Sequence, residues 1–367
     1  MKFKDIFFLF IKNHLFLFST LRLLQQRKNK EYLKMASLSN WQIIYKRGNE
    51  SLILDKKRTF YLVKYHWKTN GFFAIMRKCL DGCAFADAMG WIPYIQIEDS
   101  IFNVPGGYKG ITNMFEYYYK PVVDISIQEI EERENYIIAN SGHSMNLYRQ
   151  FVVDDKNLLA REYTVNEEML MYLGGILKKY FVLKKEVHNE ICDEINRVLP
   201  KTKVLGVHFR GSDFSVGRNG HPVQCSVDQY FNAIDKALDD GFESIFLATD
   251  DQNAIIQFLE KYGNKICIFK DVERSSTECG VHFQKHSREN DQYYLGREVL
   301  RDMLALARCD GLIAGLSQVS LFSRIQKYSY GEKYEYQYII DNGLNIGNSI
   351  KAKKYYNKLH KKIKKQK

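Results

Sequence analysis

A short apolar run that ends in polar and charged side chains, VLGVHFRGSD from Val204 to Asp213, carries the clearest chemical signal in the chain. The apolar part predicts a buried strand, so His208, Arg210 and Asp213 follow on the loop at its carboxyl end. Ligands of open α/β sheets bind beyond that end, and a guanidinium is a fixed, charged fork suited to phosphate oxygens. The segment therefore predicts a phosphate-bearing ligand. The alternative is structural, with Arg210 paired to a carboxylate and His208 a hydrogen-bonded core histidine.

Two later segments place polar side chains at the same kind of position. SIFLATDD ends a predicted strand just before Asp250 and Asp251, and GLIAGLSQVS turns from a strand into a helix at Ser317 and Gln318. Hydroxyl, amide and backbone N–H groups at such a turn suit a phosphate.

Asp302 is a polar residue on a largely apolar predicted helix, VLRDMLALARCD, and it needs a partner. Guanine presents two adjacent donors, N1–H and N2–H₂, that one carboxylate accepts. The alternative partner is an arginine of the same helix: Arg297, Arg301 or Arg308.

The elements around these residues alternate between strand and helix. In the second half of the chain the order is VLGVHF, VDQYFNAIDKALDDG, SIFLATDD, QNAIIQFLEKYG, KICIF, a helix at about 295–307 and GLIAGLS. This order predicts a parallel sheet. In the first half, strands near 52–67, a helix at 71–89 and the strand WIPYIQIE predict a further β–α–β unit, and residues 125–200 are predicted to be mostly helical.

Taken in order, HFRGSD, LATDD, GVH at 280–282, LRDMLALARCD and SQVS resemble the motifs of α1,6-fucosyltransferases, over about residues 203–325. That group includes the core N-glycan enzyme and the rhizobial nodulation fucosyltransferase. The resemblance implies an α/β, GT-B-like architecture with two domains facing a cleft and a C-terminal Rossmann-like sheet that binds the nucleotide. It also implies GDP-fucose as donor, inversion at the anomeric carbon and no required metal or other cofactor. The sequence contains no D-x-D motif that would hold a metal with the diphosphate.

The resemblance also implies a donor site. Arg210 would contact the β-phosphate of GDP, while His208 (through its backbone) and Asp302 would hold guanine. Asp250 and Asp251 would line the nucleotide site, Ser317 and Gln318 would hold phosphate oxygens, and His282 would be a further donor-binding residue.

The chain departs from this family in two places. The family has two consecutive arginines where this chain has Arg210 and Gly211, so one phosphate contact is either missing or supplied from elsewhere, with Arg218 as a candidate. The family's catalytic glutamate has no counterpart in FSVGRNGHP. Asp213 and His221 are then the candidates for the general base, and an oxocarbenium-like departure of fucose that needs little base is the alternative.

The net charge of +11 is concentrated at the two ends of the sequence. Residues 1–34 carry a net +6 and residues 351–367 a net +9, while 35–350 carry −4. Nucleic-acid binders more often carry positive charge on the folded body, so nucleic acid is not an expected partner. Basic ends with apolar residues beside them favour binding to an anionic membrane surface.

The expected organisation is an amphipathic basic segment (1–34), an acceptor-side α/β domain (35–200), a donor-binding domain (201–345) and a basic tail (346–367). The seven scattered cysteines argue against a disulfide framework and favour a reducing, cytoplasmic setting.

The sequence thus predicts an inverting, metal-independent fucosyltransferase of bacterial surface polysaccharide synthesis, at the inner face of the membrane, with a glycan or lipid-linked oligosaccharide acceptor. The alternatives are the same fold with GDP-mannose or a UDP-hexose, and a non-catalytic module that binds a sugar nucleotide or a glycan.

Overall fold

The computed structural model describes residues 24, 27, 28, 59–65, 70–139, 163, 165–211, 221–277, 280–284 and 287–345. The chain divides into two compact units, the first drawn from Met1–Asp155 and Asn166–Val187, the second from Lys156–Val165 and His188–Lys367. Apart from residues 24, 27 and 28, the predicted basic segments 1–34 and 346–367 lie outside the described residues. No helix within the described residues is long and apolar enough to cross a membrane.

The first unit contains a parallel three-stranded sheet of order β2-β1-β3. The first helix comes after β1 in the chain and ends at Gly90, whose φ of 71° is the left-handed conformation that glycine adopts at low cost. The elements of this unit are β1 (Thr59–Tyr65), α1 (Phe72–Met89), β2 (Ile92–Ile97), α2 (Phe115–Tyr118), α3 (Ile127–Arg133), β3 (Asn135–Ile138) and α4 (Glu167–Tyr180).

Strand β3 corrects one prediction, because residues 125–200 were expected to be mostly helical. NYII pairs in parallel with β1, with Leu62 opposite Ile138. Its Tyr136 is buried in a cluster with Phe60 and Leu62. Strand preference depends strongly on cross-strand packing of this kind, and four residues are too few for a periodic signal.

The second unit contains a parallel five-stranded sheet of order β6-β5-β4-β7-β8. This confirms the predicted α/β fold with a parallel C-terminal sheet. The elements of this part of the chain are α5 (Lys185–Val198), β4 (Val204–Phe209), α6 (Val227–Asp239), β5 (Ser244–Thr249), α7 (Gln252–Tyr262), β6 (Ile266–Cys267), α8 (Asp291–Arg308), β7 (Gly311–Gly315), α9 (Gln318–Ser329) and β8 (Tyr336–Ile340).

The central strand β4 is buried along its whole length, as expected for a parallel strand covered on both faces. Leu205 and Val207 face an apolar cluster that includes residues of α6 and α7. On the opposite face, a Cβ at Gly206 would lie 3.2 Å from Leu306 of α8. His208 therefore points to the α8 and α9 side of the sheet. Its partners across the sheet are Ala248 of β5 and Ala314 of β7, so the three carboxyl ends lie level.

Candidate functional site

The structure brings the predicted strand-end residues to one edge of the second sheet. Arg210 follows β4, Asp250 and Asp251 follow β5, and Ser317 begins α9 directly after β7. Because β4 lies between β5 and β7, all three connections meet at the carboxyl edge of adjacent strands. This edge is where open α/β sheets bind their ligands.

Arg210 is held in place by Asp250. The Asp250 Oδ2 accepts a hydrogen bond from Arg210 Nη1, and Oδ1 accepts one from the Gly211 N–H at 3.0 Å. The Arg210 side chain is 25% exposed and that of Asp250 13% exposed. The pair matches the alternative in which Arg210 is bonded to a carboxylate. It also leaves a fixed, partly exposed guanidinium at the carboxyl edge of the sheet. Asp250 is thus a positioning group for Arg210.

Gly211 cannot be replaced by a second arginine in this backbone. A Cβ at position 211 would lie 2.3 Å from the Asp251 Cβ and the same distance from its Oδ2. Asp251 is itself fixed as the N-cap of α7, because its Oδ1 accepts hydrogen bonds from Asn253 N at 2.8 Å and Ala254 N at 3.2 Å. The single arginine at this strand end therefore has a steric reason.

The two helices that begin at this edge have different caps. A carboxylate, that of Asp251, caps α7 and neutralises the positive end of the helix dipole there. A neutral hydroxyl, that of Ser317, caps α9 through the Ser320 N–H at 3.0 Å. Gln318 is the first residue of α9. The start of α9 thus keeps its partial positive charge, and it is the better place for a phosphate.

His208 is a neutral, hydrogen-bonded histidine beneath this edge. Its Nδ1 lies 3.2 Å from the Ser317 Oγ. Burial, opposed by Asp250 and aided by the nearby charge of Arg210, lowers the pKa of the imidazole to about 4. The ring is therefore uncharged at neutral pH and supports the Ser317 hydroxyl.

Tyr230 is a buried residue of this region that sequence reasoning missed. Its hydroxyl donates to the His208 carbonyl at 2.9 Å and accepts from the Gly315 N–H at 2.7 Å. It thereby joins the ends of β4 and β7 from α6. In the sequence it is only one more aromatic residue on an amphipathic helix.

The three arginines offered as partners for Asp302 bond elsewhere. Arg301 bonds to Asp271 and Glu194, with Arg301 Nη2 at 2.8 Å from Asp271 Oδ1. The other two bond to residues of α5: Arg297 to Glu190 and Glu194, and Arg308 to Asn196 and Cys192.

Within the part of the chain that the structure describes, Asp302 therefore forms none of the arginine salt bridges that were its alternative interpretation. Within the described ranges no group donates a hydrogen bond to its carboxylate. Burial raises the pKa of the carboxyl to about 7, against the opposing charges of Arg301 and Arg274. A carboxylate in this state gains strongly from any ligand that brings N–H donors to it.

The loop after β6 connects Asp250 to the Asp302 region. Ser275 N donates to the Asp250 carbonyl at 2.8 Å, and Gln252 N donates to the Ser275 carbonyl at 2.9 Å. On the other side, Glu273 N donates to Glu298 of α8 at 3.3 Å. The same short loop thus contacts the strand edge that holds Arg210 and the helix that carries Asp302.

The remaining predicted residues are Asp213, His221 and His282, together with the phosphate candidate Arg218. Asp213, like Arg218, lies outside the described residues, and for His282 only the backbone is described, in a short 3₁₀ helix (Val281–Phe283). His221 is partly buried, and its carbonyl accepts from Asn345 N at 2.7 Å. The identity of the general base stays a prediction.

No protein-family model matches the chain, and no curated protein matches it. Among solved structures, fucosyltransferase NodZ from Bradyrhizobium is similar with a TM-score of 0.44 and 16% identity, over 75% of this chain and 92% of that one. POFUT1 in complex with GDP-fucose is similar with a TM-score of 0.41 and 12% identity, over 81% of this chain and 100% of that one. NodZ alpha-1,6-fucosyltransferase soaked with GDP-fucose gives 0.44 and 15%, over 74% and 92%. Because these scores and identities are low, we infer the chemistry of the site from this chain's own residues.

Proposed function

We propose that this chain is a glycosyltransferase that transfers fucose from GDP-fucose to a glycan acceptor, with inversion and without a metal ion. The observation that carries the proposal is the pairing of two features in one unit. Arg210 is fixed at the carboxyl edge of the parallel sheet, and the half-buried Asp302 receives no hydrogen bond from the described part of the chain. A guanine nucleoside diphosphate complements both.

The diphosphate end of the donor fits the edge between β4 and β7. Arg210 supplies a guanidinium oriented by Asp250, and α9 begins there under the neutral cap of Ser317. As the bond between fucose and the diphosphate breaks, negative charge grows on the leaving oxygen. Both groups stabilise that charge, and the loss of one such donor typically costs about 10²–10³ in rate. These groups neutralise the diphosphate charge that a metal ion bound by a D-x-D motif would otherwise neutralise.

The base end of the donor fits Asp302. Guanine offers two N–H donors side by side, and accepting them stabilises the ionised carboxylate. A uracil ring offers one donor flanked by two acceptors, so it satisfies this carboxylate poorly. The fucosyl group itself is inferred from the sequence resemblance, as is the role in bacterial surface polysaccharide synthesis.

Transfer would proceed by direct displacement. The acceptor hydroxyl oxygen bonds to the anomeric carbon on the face opposite GDP, its proton passes to a base, and GDP leaves with the bonding electron pair. Asp213 and His221 follow the Arg210 strand and are the proposed bases.

Turnover of GDP-fucose tests the proposal. Wild-type protein should release GDP from GDP-fucose, slowly with water and faster with a suitable glycan, and Arg210→Ala should lower the rate about 10²–10³-fold. Arg197→Ala, which removes an exposed arginine of α5, is the matched control and should leave the rate unchanged. If neither protein consumes GDP-fucose, or if Arg210→Ala matches the wild type, the proposal is wrong.

For location, we propose peripheral attachment to the inner face of a bacterial membrane. The basic segments at both ends, net +6 over 1–34 and +9 over 351–367, support this. Deleting 1–24 and 351–367 should release the protein from anionic vesicles, and 0.5 M salt should weaken binding of the full chain, because the Debye length falls to a few ångström. Retention under both conditions would overturn it.

A further inference from the structure

Arg274 is fixed by the loop on which it lies. Its Nη1 donates to the Val272 carbonyl at 3.0 Å and its Nη2 to the Phe269 carbonyl at 2.6 Å. These two bonds engage two of the five N–H donors of a guanidinium. The side chain is partly buried, and the next residue, Ser275, is bonded to the Asp250 backbone. The orientation of the guanidinium is therefore set before any ligand arrives.

The loop also packs against the part of α8 that carries Asp302. Glu273 N bonds to Glu298, one helical turn before Asp302. The Arg301 guanidinium lies 4.0 Å from the centre of the Phe269 ring. The loop that carries Arg274 thus contacts the turn of α8 that precedes Asp302, and Asp302 acts on Arg274 electrostatically.

Among the described residues, Arg274 forms no ion pair although several carboxylates are near it. Asp302, Glu298 and Asp271 all act on it electrostatically, yet no carboxylate oxygen of the described residues lies within 4.0 Å of its nitrogens. Asp271 is bonded to Arg301, and Glu298 to Arg288. Arg274 and Asp302 therefore interact electrostatically with no hydrogen bond or ion pair between them.

We propose that Arg274 and Asp302 together recognise the edge of a guanine ring, with Arg274 donating to O6 and N7 while Asp302 accepts from N1–H and N2–H₂. This rests on the proposed function and adds a specificity-determining residue to it. Arginine donating to O6 and N7 of guanine is the commonest base-specific contact in protein–DNA complexes. The two pairs of atoms are adjacent on the ring, so a base between the side chains would satisfy both and separate them by more than an ion-pair distance.

The pair also explains how adenine would be rejected. Adenine carries an N6–H₂ donor where guanine carries the O6 acceptor, so a guanidinium there faces a donor. A good bidentate contact of this kind contributes about 1–3 kcal/mol of discrimination, or about 5- to 150-fold in affinity.

Nucleotide binding by Arg274→Gln tests the proposal in the full chain. Calorimetric titration with GDP, 6-thio-GDP and ADP is compared for wild type and variant, since 6-thio-GDP keeps N1–H and N2–H₂ but replaces O6 with a weak acceptor. In the wild type, 6-thio-GDP and ADP should bind about 10-fold or more weaker than GDP. In Arg274→Gln the affinity for GDP should fall to that for 6-thio-GDP, and the preference over ADP should shrink by the same factor.

Two controls separate a structural effect from recognition. Lys270→Gln removes the same charge from an exposed position of the same loop and should leave all three affinities unchanged. Arg274→Lys keeps a donor and should recover part of the preference for GDP. The wild-type comparison of GDP with 6-thio-GDP needs no variant, so poor folding of Arg274→Gln does not prevent the test.

The outcomes are distinct. If the wild type prefers GDP over ADP and 6-thio-GDP, and Arg274→Gln lowers all affinities by one common factor, Arg274 only braces the loop and the proposal is wrong. Equal wild-type affinity for GDP and 6-thio-GDP also overturns it. If the wild type binds GDP and 6-thio-GDP equally and tightly, the role of Arg274 is wrong but the proposed function is not contradicted. Failure of the wild type to bind any of the three overturns both.

Discussion

Replacing Asp302 with asparagine should make the free protein more stable and the nucleotide site weaker. The carboxyl has its pKa raised by burial from 3.8 to about 7. Each pKa unit corresponds to about 1.4 kcal/mol, so ionising Asp302 in the folded chain costs at most about 4 kcal/mol. The side chain is partly exposed, and solvent relaxation lowers such penalties, so we expect a gain of about 1–2 kcal/mol for Asp302→Asn.

The sign of the pH dependence follows from linkage. A carboxyl whose folded pKa is raised contributes stability that is fully present below pH 3.8 and is lost as the pH rises through about 7. Asparagine does not ionise. The stability difference between variant and wild type should therefore be small at pH 4, grow between pH 4 and 7, and stay at its full value at pH 8.

Urea unfolding of both proteins at pH 4 and pH 8 measures this difference. Asp271→Asn is the control, because hydrogen bonds from Arg301 lower the pKa of that carboxyl and outweigh its partial burial. That stability is present above the normal pKa of aspartate and is lost in acid, so Asp271→Asn should be destabilising at pH 8. If Asp302→Asn is no more stable than the wild type at pH 8, Asp302 has a partner and its assignment to guanine fails. Asp302→Asn should also weaken GDP binding about 10-fold or more.

Further predictions concern the residues that build the edge. Tyr230→Phe should cost about 1–3 kcal/mol in urea unfolding, because two buried backbone groups lose their partner; a cost under about 0.5 kcal/mol would show that water replaces the hydroxyl. Gly211→Ala should lower the melting temperature and weaken GDP binding, since the new Cβ overlaps a fixed carboxylate. Gly175→Ala, with nothing within 4 Å of the new Cβ, should instead raise the melting temperature. Asp250→Asn should raise the KM for GDP-fucose, because it loosens Arg210; an unchanged KM would contradict a positioning role.

The strand-end part of the site could be predicted from the sequence because it depends on local patterns. A continuous apolar run predicts β4, and polar residues directly after β4, β5 and β7 must share an edge once the strands are parallel. Helix α1 is similarly local, with Gly71 before it and Gly90 after it. The predicted cleft between the two domains stays a prediction.

The parts that could not be predicted depend on contacts between distant segments. Strand β3 forms because β1 lies beside it, and β6 is only two residues long where KICIF predicted a longer strand. The bonding of Arg297 and Arg301 to Glu194 depends on how α5 packs against α8. Because this packing cannot be read from the sequence, sequence analysis could not distinguish a salt bridge from a ligand as the partner of Asp302.

Arg274 shows the same limit on a smaller scale. Its segment, DVERSS, has no periodicity and no motif. Its position follows from hydrogen bonds that connect the loop to Asp250 and to Glu298. Nothing local to the segment distinguishes this arginine from an exposed one.

The most direct test of the account is calorimetric binding of GDP, UDP and CMP to the full-length wild type and to Arg210→Ala. We expect the wild type to bind GDP in preference to UDP and CMP, and Arg210→Ala to lose most of that affinity. Wild-type preference for UDP or CMP would contradict the assignment of Asp302 to guanine, and equal GDP binding by Arg210→Ala would contradict the role of the strand-end arginine.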